Sequence, residues 1–396
     1  MSDAGARSAA AAHPEAATRT AAVHPAAHTE APTLAELRAL APLHARAQGI
    51  PADRCRAVLS RIRSAHGGDA DSWPAVWSRA GDALAARGRH LDAARHYALA
   101  RFPYPDGPAR ERAQRLCVRS FDQWRTDRPG IGREEIEPPS GTGRFTAWTA
   151  GLSSRTPRPL LVVCGGIVSV KEQWAPLLAR AAALGTAVAV TELPGVGENT
   201  LPYDTAAPAM VGALLDHLAD RAEVSRTHAI ALSFGGHLAL RAALTDPRLV
   251  GVSTVGAPVR HFFTDGDWHA GLPATTVHTL ARLTGRPPAQ VPASLGEWAL
   301  SAPELARLTA LPVTYVAALR DDIVPLGDAA LLARDPAARR ELLVLDDEHG
   351  APAHLARVRA VLLGSALRGL GLHPVRRAAL TTVAGVRGVR RGRVRT

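Results

Sequence analysis

The chain has 396 residues, 46% of them hydrophobic, and a formal net charge of +11. That length predicts two domains and ample chain for a large buried core. No run approaches the ~20 apolar residues of a membrane-spanning helix, and the first residues lack the charged start and apolar stretch of a signal peptide. Cys55, Cys117 and Cys164 stand far apart without Cys-x-x-Cys spacing, so neither a disulfide framework nor a zinc site is implied. A soluble cytoplasmic protein is the plain expectation.

In chain order, residues 1–32 are Ala-rich, without apolar periodicity, and read as disordered. Residues 33–130 read as a helical cap domain. Leu34 to Leu43 is amphipathic, Trp73 and Trp77 stand at i,i+4, and Leu91 to Leu99 continues the helical spacing. The stretch Ala80 to Tyr97 resembles one tetratricopeptide-like hairpin. It has no second copy, and an array needs about three repeats. The Pro/Gly/Glu-rich stretch 127–143 marks a boundary.

From 144 to 372, strand-like runs near 144–150, 159–164, 187–192, 228–232, 250–255, 313–318 and 341–345 alternate with helices near 172–184, 205–221 and 234–245. That alternation argues a mostly parallel sheet with helices on both faces. The interval Pro258 to Pro312 lacks a strand signal and holds Phe262, Phe263, Trp268, His269 and Trp298. It predicts a lid insertion whose aromatics either line an apolar pocket or pack the lid on the sheet. Residues 373–396 are rich in arginine and contain no acid. They read as a solvated basic extension, one that could also meet acidic partners non-specifically with steep salt dependence. No specific nucleic-acid-binding module is recognisable.

Chemistry concentrates in four loops. Ala231-Leu232-Ser233-Phe234-Gly235 closes an apolar run and opens a helix, the context of a nucleophile elbow. Small residues flank the serine because the turn is sharp and strained. An acid follows a later strand at Asp321, with Asp322 as its competitor, and a histidine follows the last strand at His349, with His354 as its competitor. The order Ser233, Asp321, His349 is that of the α/β-hydrolase fold. Such a serine becomes nucleophilic when the imidazole takes its proton, and a buried carboxylate fixes the imidazole tautomer.

Upstream, Cys164-Gly165-Gly166-Ile167 predicts an oxyanion loop, with the N–H of Gly166 or Ile167 acting together with that of Phe234. Ser169 and Glu172 have the spacing of a capping box. Pro194 to Asn199 supplies a further loop. The residues left over have structural readings. Ser253 has the wrong glycine spacing for a nucleophile, Asp346 and Asp347 read as a solvated turn, and His237 packs on the helix after the elbow. Nothing calls for a metal or cofactor.

The stretches Cys164 to Glu172, Pro194 to Glu198 and Ala231 to Gly235 resemble the esterase family of the fermentation-respiration switch protein. That family includes 2,6-dihydroxypseudooxynicotine hydrolases and fungal polyketide-shortening hydrolases. The resemblance covers roughly 144–370. It implies an α/β-hydrolase core with an N-terminal helical domain helping to roof the site, and Ser233, Asp321 and His349 as the triad. It implies hydrolysis of esters or of carbon–carbon bonds next to a ketone. Only one of the 47 basic residues is a lysine, Lys171, which lies inside the family motif. Its ammonium either pairs with Glu172 or a loop carboxylate to hold the oxyanion loop, or touches substrate.

Three function classes follow. The first is a serine hydrolase of an ester, thioester or ketone-adjacent C–C bond in an apolar small molecule or polyketide. The second is a lyase or cyclase in which the same base drives loss of an acyl group. The third is a non-catalytic relative that binds a partner protein. The intact set of residues argues against the third, and a homodimer is left open.

Overall fold

The computed structural model describes residues 30–372. Most of the Ala-rich N-terminal segment and all of the arginine-rich C-terminal one lie outside the described residues. Five helices come first: α1 (Leu34–Ala47), α2 (Ala52–Leu59), α3 (Trp73–Ala85), α4 (His90–Ala100) and α5 (Gly107–Thr126). Thr33 starts α1, its hydroxyl accepting from the Glu36 N–H at 3.2 Å. Leu37, Ala41 and Ala45 then fall on one buried stripe. A Cβ at Gly81 would lie 2.7 Å from the Tyr97 ring, so α3 and α4 pack as closely as glycine allows. Leu37, Ile62, Trp73, Trp77 and Phe102 form the apolar cluster inside this helical segment.

The next element departs from the sequence reading. The stretch 127–143, read as a boundary without a strand, contains β1 (Ile131–Ile136), which pairs antiparallel with β2 (Phe145–Ala150). The alternating burial of β1 is that of an edge strand with one wet face, and its polar residues hid it.

The remaining elements are β3 (Pro159–Cys164), α6 (Ala175–Leu178), α7 (Ala181–Leu184), β4 (Ala187–Thr191), α8 (Ala209–Leu218), β5 (Glu223–Ala231), α9 (Phe234–Ala242), β6 (Leu249–Val255), the lid helices α10 to α14 (His261–Thr264, Gly266–Ala270, Ala274–Thr284, Val291–Ser294, Ala302–Arg307), β7 (Val313–Ala318), α15 (Leu326–Ala333), β8 (Arg340–Leu345) and α16 (Leu355–Gly369). The eight strands lie in the order β1-β2-β4-β3-β5-β6-β7-β8. From β4 to β8 every pairing is parallel, and β2 joins β4 antiparallel. This is an α/β-hydrolase fold. Every residue of β2, β3 and β4 is buried, as a sheet covered on both faces requires.

The single helix expected at 172–184 is instead a 3₁₀ turn, Lys171–Trp174, followed by the short α6 and α7. The side chains of Lys171 and Glu172 are both buried there. The lid aromatics pack inward. Phe262 meets the ring of Phe234 edge-on at 5.2 Å, and Trp298 stacks on Tyr203 at 4.7 Å. No helix among the described residues is long and apolar enough to cross a membrane.

Helices and sheet share one apolar cluster, joined where the buried Phe121 of α5 meets Trp148 of β2 at 4.7 Å between ring centroids. Phe121→Ala is therefore expected to cost about 3–5 kcal/mol of unfolding free energy. Urea denaturation followed by tryptophan fluorescence measures it, and a loss under about 1 kcal/mol would show that this contact does not join the two parts.

Candidate active site

The turn after β5 is pinned on both sides. Leu232 donates its N–H to the Cys164 carbonyl at 3.0 Å, and Ser233 donates to the Val255 carbonyl at 2.9 Å. Between these anchors Ser233 takes φ 53° and ψ −127°, a conformation that costs a non-glycine residue about 1–3 kcal/mol. The glycines beside it are there for lack of space. A Cβ on Gly235 would lie 2.4 Å from the Gly165 carbonyl oxygen, and one on Gly236 would lie 2.1 Å from Thr254 Oγ1.

Three side chains from three strand ends meet at this turn. Ser233 Oγ lies 3.0 Å from His349 Nε2, and His349 Nδ1 lies 2.8 Å from Asp321 Oδ2. Asp321 Oδ1 also accepts the N–H groups of Ile323 and Val324 at 2.9 and 2.8 Å, which fixes the carboxylate plane. The Asp321 side chain is 4% exposed and that of His349 19%. The imidazole lies against a missing side chain, since a Cβ on Gly256 would come within 2.8 Å of His349 Cε1. Burial alone would lower the pKa of His349. The charge and hydrogen bond of Asp321, with the charge of Asp322, outweigh it and leave the pKa raised.

Asp347 was expected in a solvated turn, and the structure corrects this. Asp346 is exposed, but Asp347 is buried and ties the loop around His349. It accepts from the N–H groups of Glu348 and Ala353 at 2.9 and 3.0 Å and pairs with His354 Nδ1 at 2.8 Å. The competing histidine is thus held away from Ser233. A side chain two residues before His349 carries no sequence signal of such a role. His237 is buried with Nδ1 on the Pro258 carbonyl, and Ser253 is buried against His228 Nε2.

Close to Ser233, a turn begins at Gly166 and has Ile167 and Val168 at its corner, closed by the Ser169 N–H on the Gly166 carbonyl at 3.0 Å. A Cβ on Gly166 would lie 3.0 Å from Ser233 Cβ, so this backbone passes directly over the serine. The N–H groups of Gly166, Ile167 and Phe234 make no backbone hydrogen bond among the described residues.

The expected capping box does not form. Ser169 packs against Gly165, and Glu172 accepts instead from the Trp148 indole N–H at 2.8 Å. Glu172 is drawn inward by Lys171, which is fully buried. The Lys171 ammonium lies 2.8 Å from Glu192, 2.8 Å from Glu198 and 3.2 Å from Glu172. Glu192 Oε1 also accepts the Glu198 N–H at 2.8 Å, so the loop Pro194 to Asn199 wraps one carboxylate. A Cβ on Gly197 would lie 2.1 Å from Glu192 Oε2. Lys171 thus pairs with carboxylates, the first of its two expected readings.

Two residues of the helical segment were missed by sequence reasoning. His44 of α1 packs its ring on Phe102 at 4.5 Å. Burial, then the charges of Arg101 and His349, push its pKa down to about 4, so it is neutral at neutral pH. Arg101 is buried and donates to the Val168 carbonyl, beside the Gly166 corner, at 3.1 and 3.2 Å. Both act through tertiary contacts that no local pattern announces. Among the described residues no three His, Cys, Asp or Glu side chains form a metal-binding group.

Lys171→Met is expected to destabilise the protein by about 3–5 kcal/mol, because it strands buried carboxylates without their cation. Equilibrium urea unfolding reads the change, and an unaltered midpoint would contradict the pairing. Asp322→Asn removes one of the charges that favour the imidazolium. The His349 titration, followed by NMR of the ring protons, is expected to move to lower pH. A static or upward midpoint would remove Asp322 from the account.

The family described as Esterase FrsA-like matches residues 75–344. Esterase FrsA of Citrobacter koseri is 28% identical over 212 residues, 50% of this chain and 50% of that protein. Esterase FrsA of Klebsiella pneumoniae is 28% identical over 208 residues, with the same shares covered. The chain spans about half the length of the curated relatives it matches. Among solved structures, AbyA5 wild type is 47% identical, with a TM-score of 0.84 over 89% of this chain and 99% of that one. The 2,6-dihydroxy-pseudo-oxynicotine hydrolase, 18% identical with a TM-score of 0.63 over 81% of this chain and 95% of that one, shares the fold. The match to the family spans more than half of the sequence, and this chain belongs to the Esterase FrsA-like family.

Proposed function

We propose that this protein is a serine hydrolase in which Ser233 attacks a carbonyl carbon, His349 carries the proton and Asp321 orients the imidazole. One observation carries the reading: the unbroken relay from Ser233 Oγ to His349 Nε2 at 3.0 Å and from His349 Nδ1 to Asp321 Oδ2 at 2.8 Å, mounted on a strained turn. As the Oγ–carbon bond forms, the hydroxyl proton passes to Nε2 and the carbonyl oxygen becomes an oxyanion. The unengaged N–H groups of Phe234 and of Gly166 or Ile167 receive that charge, each donor worth ~3–4 kcal/mol in sites of this kind. His349 then returns the proton to the leaving group, and water attacks the acyl-enzyme by the same route reversed. Because His349 must be neutral to act and its pKa is raised, turnover rises with pH across that titration.

The substrate class we propose is an ester, a thioester or a ketone-adjacent C–C bond in an apolar small molecule. Membership of an Esterase FrsA-like family supports cleavage of an ester. In this reading Lys171, Glu172, Gly165 and Ser169 support the loop and do not touch substrate.

A fluorophosphonate should form an adduct on Ser233 of the wild-type protein. Ser233→Ala should lower ester turnover by roughly 10³-fold or more, with the fold unchanged by circular dichroism. Base-driven elimination through His349 would partly survive that substitution, which separates a lyase from a hydrolase. A folded wild-type protein without an adduct would count for a binding protein instead.

A further inference from the structure

Arg101 follows α4 at its C-terminal end and is 1% exposed. Its hydrogen bonds run to carbonyls alone: Nη1 to Pro103 at 3.0 Å and to Val168 at 3.2 Å, and Nη2 to Val168 at 3.1 Å. Its Nε is buried without a partner. Glu172 and Glu192 answer its charge only at longer range. Burial pulls its pKa down to about 10, which leaves it a cation at neutral pH. Taking a guanidinium out of water without a direct ion pair costs several kcal/mol, and a methionine or leucine would fill the space without that cost. Stability alone gives no reason for an arginine here.

Its partner supplies one. Val168 follows Ile167 in the turn that passes over Ser233, and this turn is closed by a single backbone bond, Ser169 N–H to the Gly166 carbonyl. The Ile167 N–H shares a peptide plane with the accepting Gly166 carbonyl, and the donating Ser169 N–H shares one with the Val168 carbonyl, so the Ile167 N–H stays aimed at the serine only while the Val168–Ser169 plane is held. Two N–H groups of one rigid fork on the Val168 carbonyl hold that plane. The Val168 side chain packs on the apolar cluster of the helical segment and also on the one shared with the sheet. The polar anchor on this residue comes from the end of α4, and the fork adds a desolvated positive charge next to the turn that passes over Ser233.

We infer that Arg101 is a positioning residue for the oxyanion corner, through which the helical segment sets the N–H groups at Gly166 and Ile167. This rests on the serine-hydrolase reading. It assigns the helices a part in transition-state stabilisation beyond roofing the site.

The test compares full-length wild type, Arg101→Met and Arg101→Lys on a p-nitrophenyl ester. kcat is expressed per serine counted by exhaustive fluorophosphonate labelling, so that misfolded protein does not enter the rate. Arg101→Met should lose about 100-fold in kcat, the scale of one lost oxyanion donor, with KM nearly unchanged. A boronic acid, whose serine adduct is a tetrahedral anion, should lose affinity in parallel. Arg101→Lys keeps charge and approximate volume but not the fork, and should lose about 10-fold. It also carries the test should Arg101→Met fail to fold. A kcat per serine equal to wild type in either folded variant, or a loss confined to KM, would overturn the inference and leave the hydrolase reading standing. Absence of any adduct or turnover in the wild type would overturn both.

Discussion

One buried ammonium holds two of the loops around Ser233 in register. Lys171 gathers Glu172 beside it, Glu192 beyond β4 and Glu198 in the following loop, within 2.8 to 3.2 Å. Burying these charges is costly unless every partner is in place, so the segments carrying them cannot shift independently. The excess of negative charge is shared outward. Glu198 also meets Arg133 at 3.0 Å, and Glu172 takes the Trp148 indole proton. Burial raises the pKa of Glu198, but the Lys171 and Arg133 cations outweigh it and leave it lowered. Its contribution to stability is therefore present above the ordinary carboxylate range and is lost as pH falls from that range through its lowered pKa. A compact ammonium can donate to three carboxylates around a point, whereas a planar guanidinium fork cannot. That geometry accounts for a lysine in a chain whose other basic residues are all arginine.

Around the serine itself, the governing constraint is space. Gly166, Gly235, Gly236 and Gly256 are places where a Cβ would meet backbone, Ser233 or the imidazole at 3.0 Å or less, and one on Gly165 would meet the Ser169 side chain at 2.2 Å. The site is assembled from absent side chains, which lets three strand ends and one loop close on a single hydroxyl. Ser233 stores strain as a result, and the bonds of Leu232 and Ser233 to neighbouring strands hold it there.

Much of this was legible because it is local. The apolar runs of β2 to β8 are bounded by turn residues, and the strand-turn-helix around Ser233 has few alternatives. The acid and the histidine each follow a strand in hydrolase order. What escaped has a common physical cause. The strand β1 has only two apolar residues, Ile131 and Ile136, and prolines lie close on both sides, so a period-2 signal is absent. The Ser169 and Glu172 spacing suggested a cap, but a capping box is worth less than a buried lysine with its carboxylates, and the latter won. Asp347, Arg101 and His44 act on partners that are either non-local or undistinguished in sequence. Arg101 and Val168 are 67 residues apart, and no pattern links them.

The same long-range contacts set the direction of the field across the proposed reaction. Behind His349 stand two carboxylates, Asp321 in contact and Asp322 close enough to favour the imidazolium. The buried Arg101 cation lies on the side of the turn that passes over Ser233. His44 lies within reach of both: besides burial, its pKa is lowered first by Arg101 and then by His349. Attack by the serine separates charge along that line, leaving a cation on the imidazole and an anion at the Gly166 corner. Fixed charges already arranged to oppose each pole need no reorganisation when the barrier is crossed, and they act most strongly where water is excluded. In the proposed reaction the sheet thus supplies the carboxylates behind the imidazole, and the end of α4 supplies the cation beside the turn over Ser233.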